Sequence, residues 1–133
     1  MEIESTIEVI SRHLPDVQAV YLFGSHGTED ERPDSDVDMA VLLPPVHTHR
    51  SGVMLDLTGE LVDLLGKSVD LIHLREVNTV FQKEIIMSDR RVFTADQFAV
   101  DEFEMMVVSE YQKLNEERRE IIEAAVEEGR FVA

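Results

Sequence analysis

The sequence predicts an α+β fold, in which a small β-sheet carries helices packed mainly on one face and a long helical segment ends the chain. Short apolar runs of strand length, bounded by Gly, Pro or Asp, alternate with segments whose apolar residues recur every three or four positions. Beyond about residue 96 the helical pattern continues almost to the end. Strands that alternate with helices also permit a parallel doubly wound sheet, so the pattern alone leaves the topology open.

The first half of the chain is predicted to form a helix, two strands and a second helix. Apolar residues at helical spacing define the helix over residues 3–14. Continuous apolar runs define strands over residues 17–23 and 37–43. Residues 51–65 again place their apolar side chains on one helical face, and Gly66 is predicted to end that helix.

The second half is predicted to contain a strand over residues 69–74, a helix over 78–87, a short strand over 91–93 and a helical segment over 96–128 that allows one break. The last segment carries an acidic run: Glu116, Glu117, Glu120, Glu123, Glu127 and Glu128. Such a run is usually a solvated helix face, and contact with a basic partner is the second interpretation.

Composition limits the classes of function. The chain has 133 residues, with 12 basic and 28 acidic side chains, a formal net charge of −16 and no cysteine. This charge disfavours direct binding of nucleic acid and favours a basic partner or a metal-bridged anionic substrate. Disulfides and thiolate zinc sites are excluded. Without a long apolar run or a secretory signal at its start, the chain is predicted to be a cytoplasmic protein with one domain, residues 1–133.

A chemical motif lies between the first two strands. Gly24-Ser25 ends the first strand, ten residues follow, and Asp36-Val37-Asp38 leads into the second strand. Side chains alternate along a strand, so Asp36 and Asp38 point the same way with Cα atoms roughly 6–7 Å apart. Two such carboxylates repel each other, and a hard divalent cation such as Mg²⁺ relieves that repulsion.

The Gly-Ser turn supplies the second half of the motif. Gly24 allows the backbone to approach a ligand closely, and the following N–H groups and the Ser25 hydroxyl can hold phosphate oxygens. Together the two halves predict a site for a metal-bound nucleoside triphosphate. The structural alternatives are that Asp36 and Asp38 are turn or strand-entry residues, and that Ser25 caps a helix, which is compatible with phosphate binding.

This motif resembles the nucleotidyltransferase signature of the DNA polymerase β superfamily. The short chain is similar to the minimal nucleotidyltransferases (MNT), the antitoxin halves of HEPN–MNT toxin–antitoxin pairs. The resemblance implies the small mixed sheet of the nucleotidyltransferase fold rather than a parallel one. It also implies Mg²⁺ as cofactor and ATP as substrate.

Asp70 matches the third acidic residue that the family carries on a following strand. A carboxylate in an otherwise apolar strand is costly, which itself marks the position, although a surface strand residue is the plainer interpretation. The resemblance implies that Asp70 binds the metal with Asp36 and Asp38 and acts as general base on the attacking hydroxyl. The reaction would be in-line attack at the α-phosphorus with pyrophosphate leaving.

The implied activity is transfer of AMP from ATP to a tyrosine of a cognate HEPN ribonuclease toxin, near its catalytic Arg and His, which neutralises the toxin. Two alternatives remain from the sequence. The acidic chain could neutralise a basic toxin by binding alone, or it could transfer a nucleotide to a small molecule, for which the chain is short.

One departure from the family pattern concerns charge. Many members carry Arg and Gly at the positions of Thr28 and Glu29, where this chain has an acidic run. A cation from elsewhere would then have to meet the triphosphate. Arg32 is the only nearby cation, and a Lys or Arg from elsewhere in the chain, Lys67 or Lys83 for instance, could compensate.

Overall fold

Helices and a four-stranded sheet make up the computed structural model, which describes residues 2–24, 36–46 and 52–127. The elements follow the predicted order: α1 Ile3–His13, β1 Ala19–Phe23, β2 Val37–Leu42, α2 Val53–Leu65, β3 Val69–His73, a 3₁₀ turn Leu74–Glu76, α3 Thr79–Met87, β4 Arg91–Thr94 and α4 Gln97–Glu127.

The sheet is mixed. Its strand order is β3-β2-β1-β4; β1 is antiparallel to both β2 and β4, and β2 is parallel to β3. A parallel pair needs a long crossover connection, which α2 supplies between β2 and β3. The mixed sheet implied by the family resemblance is therefore confirmed, and the parallel doubly wound alternative is excluded.

Helices cover both faces of the sheet, whereas the sequence predicted helices mainly on one. One core lies between the sheet and α1 and α2, and a second lies between the sheet and α3 and α4. The reason is visible in β2, where Met39 and Val41 enter the first core and Ala40 and Leu42 enter the second. Residues 39–42 of β2 are apolar on both faces of the strand, so both faces need cover.

The connections that lead into the site are fixed by backbone geometry. Gly66 ends α2 in the left-handed conformation, at φ 66°, with its N–H bonded to the carbonyl of Val62 at 2.9 Å. Asn78 caps α3 by accepting a hydrogen bond from the N–H of Phe81. Asp89, at φ 56°, turns the chain from α3 into β4.

α4 is the longest element, at 31 residues, and runs without the break that the sequence allowed. Its buried residues are Val100, Phe103 and Val107, all in the first half. The hydroxyl of buried Tyr21 donates to Oε1 of Glu104 at 2.9 Å and so ties α4 to β1. Among the described residues, no helix combines the length and apolar character needed to cross a bilayer.

Candidate functional site

Gly24 lies against the carboxylate of Asp38 at the end of β1. Its φ is +75°, a conformation that residues with a Cβ rarely adopt. A Cβ built on Gly24 would lie 2.0 Å from Oδ2 of Asp38, well inside van der Waals contact. Gly24 itself therefore packs directly against the acidic part of the motif, and only glycine fits there.

Strand register places Asp70 beside Asp38. The two residues are partners in the parallel β2–β3 pair, so their side chains project from the same face of the sheet. Asp36 directly precedes β2. Because it is two positions from Asp38, its side chain belongs to the same side of the sheet. All three lie on the face of the sheet that α3 and α4 cover, near the N-terminal end of β2.

The three carboxylates interact electrostatically. Partial burial raises the pKa of Asp38, and the negative charges of Asp70 and then Asp36 raise it further. Its burial has a structural origin: Phe23 is the register partner of Asp38 on β1, and the Phe23 ring packs edge-on against Phe81 of α3 at 5.4 Å. Asp36 and Asp70 are exposed.

The donor set suits a hard divalent cation in its chemistry, because it consists of carboxylate oxygens on one side of a sheet. Within the described ranges, however, no three acidic or histidine side chains are already close enough together to hold a metal ion. A cation held by all three carboxylates at once would therefore require them to approach one another. The pKa of Asp38 is raised first by burial and then by the charges of Asp70 and Asp36, and a bound cation would oppose the repulsion between these carboxylates.

Arg90 is a member of the site that sequence reasoning missed. Its Nη1 donates to the carbonyl oxygen of Gly24 at 2.8 Å, and its positive charge lowers the pKa of Asp38, opposing the acidic neighbours. The backbone fixes its place, since the carbonyl of Arg90 accepts a hydrogen bond from the N–H of Leu22. Arg90, the residue directly before β4, is thus linked to Gly24, the residue directly after β1.

The lysines proposed from the sequence have other settings. The ammonium of Lys83 lies 4.7 Å from the centre of the Tyr111 ring, where it joins α3 to α4. Lys67 lies in the turn between α2 and β3. Ser25, the predicted phosphate ligand, and the positions of Thr28 and Glu29 lie outside the described residues.

Comparison with known proteins agrees with this geometry. Residues 4–98 match the family described as polymerase beta, nucleotidyltransferase. The chain is 31% identical over 118 residues to the protein adenylyltransferase MntA of Shewanella oneidensis, covering 88% of this chain and 82% of that protein.

Solved structures give the same result. A toxin–antitoxin structure with AMP-PNP superposes with a TM-score of 0.77 at 28% identity, covering 95% of this chain and 99% of that one. The MNT antitoxin in complex with the tri-AMPylated HEPN toxin of Shewanella oneidensis superposes with a TM-score of 0.71 at 28% identity, covering 93% and 95% of the two chains.

Proposed function

Because the chain belongs to the polymerase β nucleotidyltransferase family, we propose that it is an antitoxin that transfers AMP from Mg²⁺-ATP to a tyrosine hydroxyl of a cognate HEPN ribonuclease toxin. The observation that carries this proposal is the register pairing of Asp38 with Asp70 beside the Gly24 turn. The similar proteins support it, since one is named a protein adenylyltransferase and another is bound to an AMPylated HEPN toxin.

In this proposal Asp36, Asp38 and Asp70 hold Mg²⁺ through carboxylate oxygens. The ion would supply charge neutralisation for the phosphates and for the oxygens that attack and leave. We expect the backbone N–H groups after Gly24 and the hydroxyl of Ser25 to hold the phosphate oxygens. Arg90 contributes the cation that many relatives carry after the Gly-Ser pair.

The tyrosine oxygen of the toxin bonds to the α-phosphorus of ATP, and its proton passes to the carboxylate of Asp70. The bond between the α-phosphorus and the bridging oxygen breaks, and pyrophosphate leaves with the electron pair. The toxin gains an AMP group, whose bulk and negative charge near the ribonuclease site oppose RNA binding.

The whole chain acts as one nucleotidyltransferase unit in this proposal. The family match ends at residue 98, but α4 continues into the same core through Val100, Phe103 and Val107.

The cytoplasm is the compartment we propose, because ATP and RNA are both present there.

Intact-mass spectrometry of the co-expressed toxin tests the proposal. With wild-type antitoxin, the toxin should gain mass in whole multiples of AMP; with Asp36→Ala/Asp38→Ala it should gain none. Asp56→Ala/Asp63→Ala on α2 is the matched control, because it removes two acidic side chains that are exposed on another element. An unmodified toxin with wild-type antitoxin would contradict the proposal.

Neutralisation by binding alone is the second candidate, and the net charge of −16 favours it. A toxin that stays unmodified yet forms a tight complex with both the wild-type chain and Asp36→Ala/Asp38→Ala would support this candidate. An acceptor that is a small molecule would instead appear as AMP transfer without any gain in toxin mass.

Arg90→Ala is expected to raise the KM for ATP on the order of 10- to 100-fold, since a hydrogen bond to a charged group contributes roughly 1.5–3 kcal/mol. Arg90→Lys should recover part of the loss, because it keeps the charge without the planar guanidinium. Arg12→Ala is the control: Arg12 pairs with Glu60 on the opposite face of the sheet. Steady-state kinetics across ATP concentrations make the comparison, and an unchanged KM in Arg90→Ala would remove Arg90 from the site.

A further inference from the structure

A cleft opens between α3 and α4, the two helices that cover the carboxylate-bearing face of the sheet. Its volume is about 520 Å³, and it is lined by the first two turns of α3 together with Leu114 and Arg118 of α4. Sites for small molecules are typically about 300–1,000 Å³. The cleft is therefore large enough for part of a nucleotide.

Two aromatic rings connect the cleft to the carboxylates. Phe23 is the register partner of Asp38, and its ring meets the ring of Phe81 edge-on, with centroids 5.4 Å apart and planes at 87°. Phe81 in turn lines the cleft and is half-buried. The wall of the cleft is thus continuous with the residues that surround Asp38.

The sheet limits where the rest of a nucleotide can go. Asp38 and Asp70 are neighbours on adjacent strands, so a triphosphate held by their carboxylates lies against the sheet. The sheet itself blocks the space below these residues, since its other face is covered by α1 and α2. The ribose and base have room only on the side where α3 and α4 lie, which is the side on which the cleft opens.

The side chains that line the cleft suit a planar base with polar edges. Phe81 and Leu114 offer apolar surface, on which every base can stack. Glu84 on the α3 wall accepts hydrogen bonds, and Arg118 on the α4 wall donates them; both are exposed. Adenine presents an amino donor next to the ring acceptor N7, whereas guanine presents two acceptors on that edge. The pair of unlike charges therefore complements adenine better than guanine.

We propose that this cleft is the nucleobase subsite, in which adenine stacks on Phe81, Glu84 accepts from its amino group and Arg118 donates to a ring nitrogen. The inference rests on the proposed function for the nucleotide held at the carboxylates, and it adds the selection of ATP among nucleotides. A segment of the toxin that enters the same cleft is the competing occupant. The direct link from the cleft through Phe23 to Asp38 favours the base.

Titration calorimetry of the full-length protein with two probes tests the stacking. The probes are Mg²⁺-ATP and Mg²⁺-tripolyphosphate, which carries the same number of phosphates without ribose or base. Phe81→Leu keeps an apolar side chain against Phe23 but removes the aromatic face. It should weaken ATP binding on the order of 10-fold and leave tripolyphosphate binding unchanged. Phe98→Leu is the matched control, because Phe98 is 78% exposed at the start of α4 and does not line the cleft.

Glu84→Ala tests the selection of the base. The ratio of the ATP and GTP dissociation constants should move towards equality by about 10-fold, because the carboxylate accepts from the adenine amino group and repels the guanine carbonyl oxygen. Tripolyphosphate binding should again stay unchanged. Glu8→Ala is the control, since Glu8 is an exposed residue of α1, which packs on the opposite face of the sheet.

Three outcomes would overturn the inference. Equal loss of ATP and tripolyphosphate in Phe81→Leu would mean that Phe81 acts only by supporting Asp38. Unchanged ATP binding with weakened toxin binding would assign the cleft to a segment of the toxin. An ATP to GTP ratio that Glu84→Ala leaves unchanged would remove the base from the α3 wall.

This inference and the proposed function fail separately. If the toxin is AMPylated but Phe81→Leu binds ATP as tightly as wild type, only the nucleobase subsite is wrong. If ATP binding depends on Phe81 and Glu84 as predicted but the toxin never gains AMP, the subsite stands and the transfer to the toxin does not.

Discussion

Asp38→Asn is expected to lower the rate of AMP transfer on the order of 10³-fold and, at the same time, to raise the melting temperature measured without divalent ions. The loss of rate follows because the variant removes one charged oxygen donor from the proposed Mg²⁺ site, where charge develops in the transition state. The gain in stability follows because Asp38 is partly buried beside Asp36 and Asp70, which repel its charge. The amide removes that charge at nearly constant shape.

The pH dependence of this effect has a defined sign. The folded-state pKa of Asp38 is raised above its ordinary value, so its protonation favours the folded state. That contribution is fully present at pH values below the ordinary aspartate pKa and is lost as the pH rises through the raised pKa. The stability difference between Asp38→Asn and wild type should therefore be small at acid pH and should grow towards neutral pH.

Thermal unfolding from acid to neutral pH, with EDTA present, measures this difference. Asp63→Asn is the control, since Asp63 is an exposed residue of α2 and its substitution lowers the net negative charge equally. If both variants were stabilised to the same extent, the cause would be the total charge of −16 rather than the acidic site. A variant of Asp38 that melted at a lower temperature than wild type at neutral pH would contradict the prediction.

The sequence was sufficient for the features of the site that depend on local periodicity. Alternation along a strand predicted that Asp36 and Asp38 belong to one side of the sheet. Asp70 required more, because its place depends on whether β3 lies parallel or antiparallel to β2, which periodicity does not specify. The family resemblance implied only that a third acidic residue follows on a later strand, and the observed partnership of Asp38 and Asp70 agrees with that expectation.

Arg90 could not be predicted, because its role depends on a pairing between strands that are far apart in sequence. Its contact with Gly24 spans 66 residues and exists only because β4 lies at the edge of the sheet beside β1. The cover on both faces of the sheet, in contrast, had a signal in the sequence. The run of four apolar residues that follows Asp38 in β2 indicates a strand segment buried on both sides, and the prediction of helices mainly on one face gave that signal too little weight.

Gly24→Ala should both destabilise the fold and inactivate the transferase. A left-handed backbone costs a residue with a Cβ roughly 1–2 kcal/mol. The new Cβ would in addition lie 2.0 Å from Oδ2 of Asp38, so either that carboxylate or the turn has to move. The Asp38 carboxylate is proposed to bind Mg²⁺ and the turn to hold phosphate, so either displacement should reduce AMP transfer about as strongly as Asp38→Asn does.

Gly66→Ala separates these two effects. Gly66 also has a left-handed backbone, at φ +66°, but no atom lies within 4 Å of a Cβ built there. Both variants should therefore lose free energy of unfolding, measured with urea, and Gly24→Ala should lose more because of the contact with Asp38; only Gly24→Ala should lose AMP transfer and affinity for Mg²⁺-ATP. If Gly24→Ala kept full activity at its lower stability, the contact between the Gly24 turn and Asp38 would be a packing feature, and the nucleotide would have to bind elsewhere. If Gly66→Ala lost activity to the same degree, the cause would be destabilisation of the whole fold. The specific role of Gly24 in AMP transfer would then be contradicted.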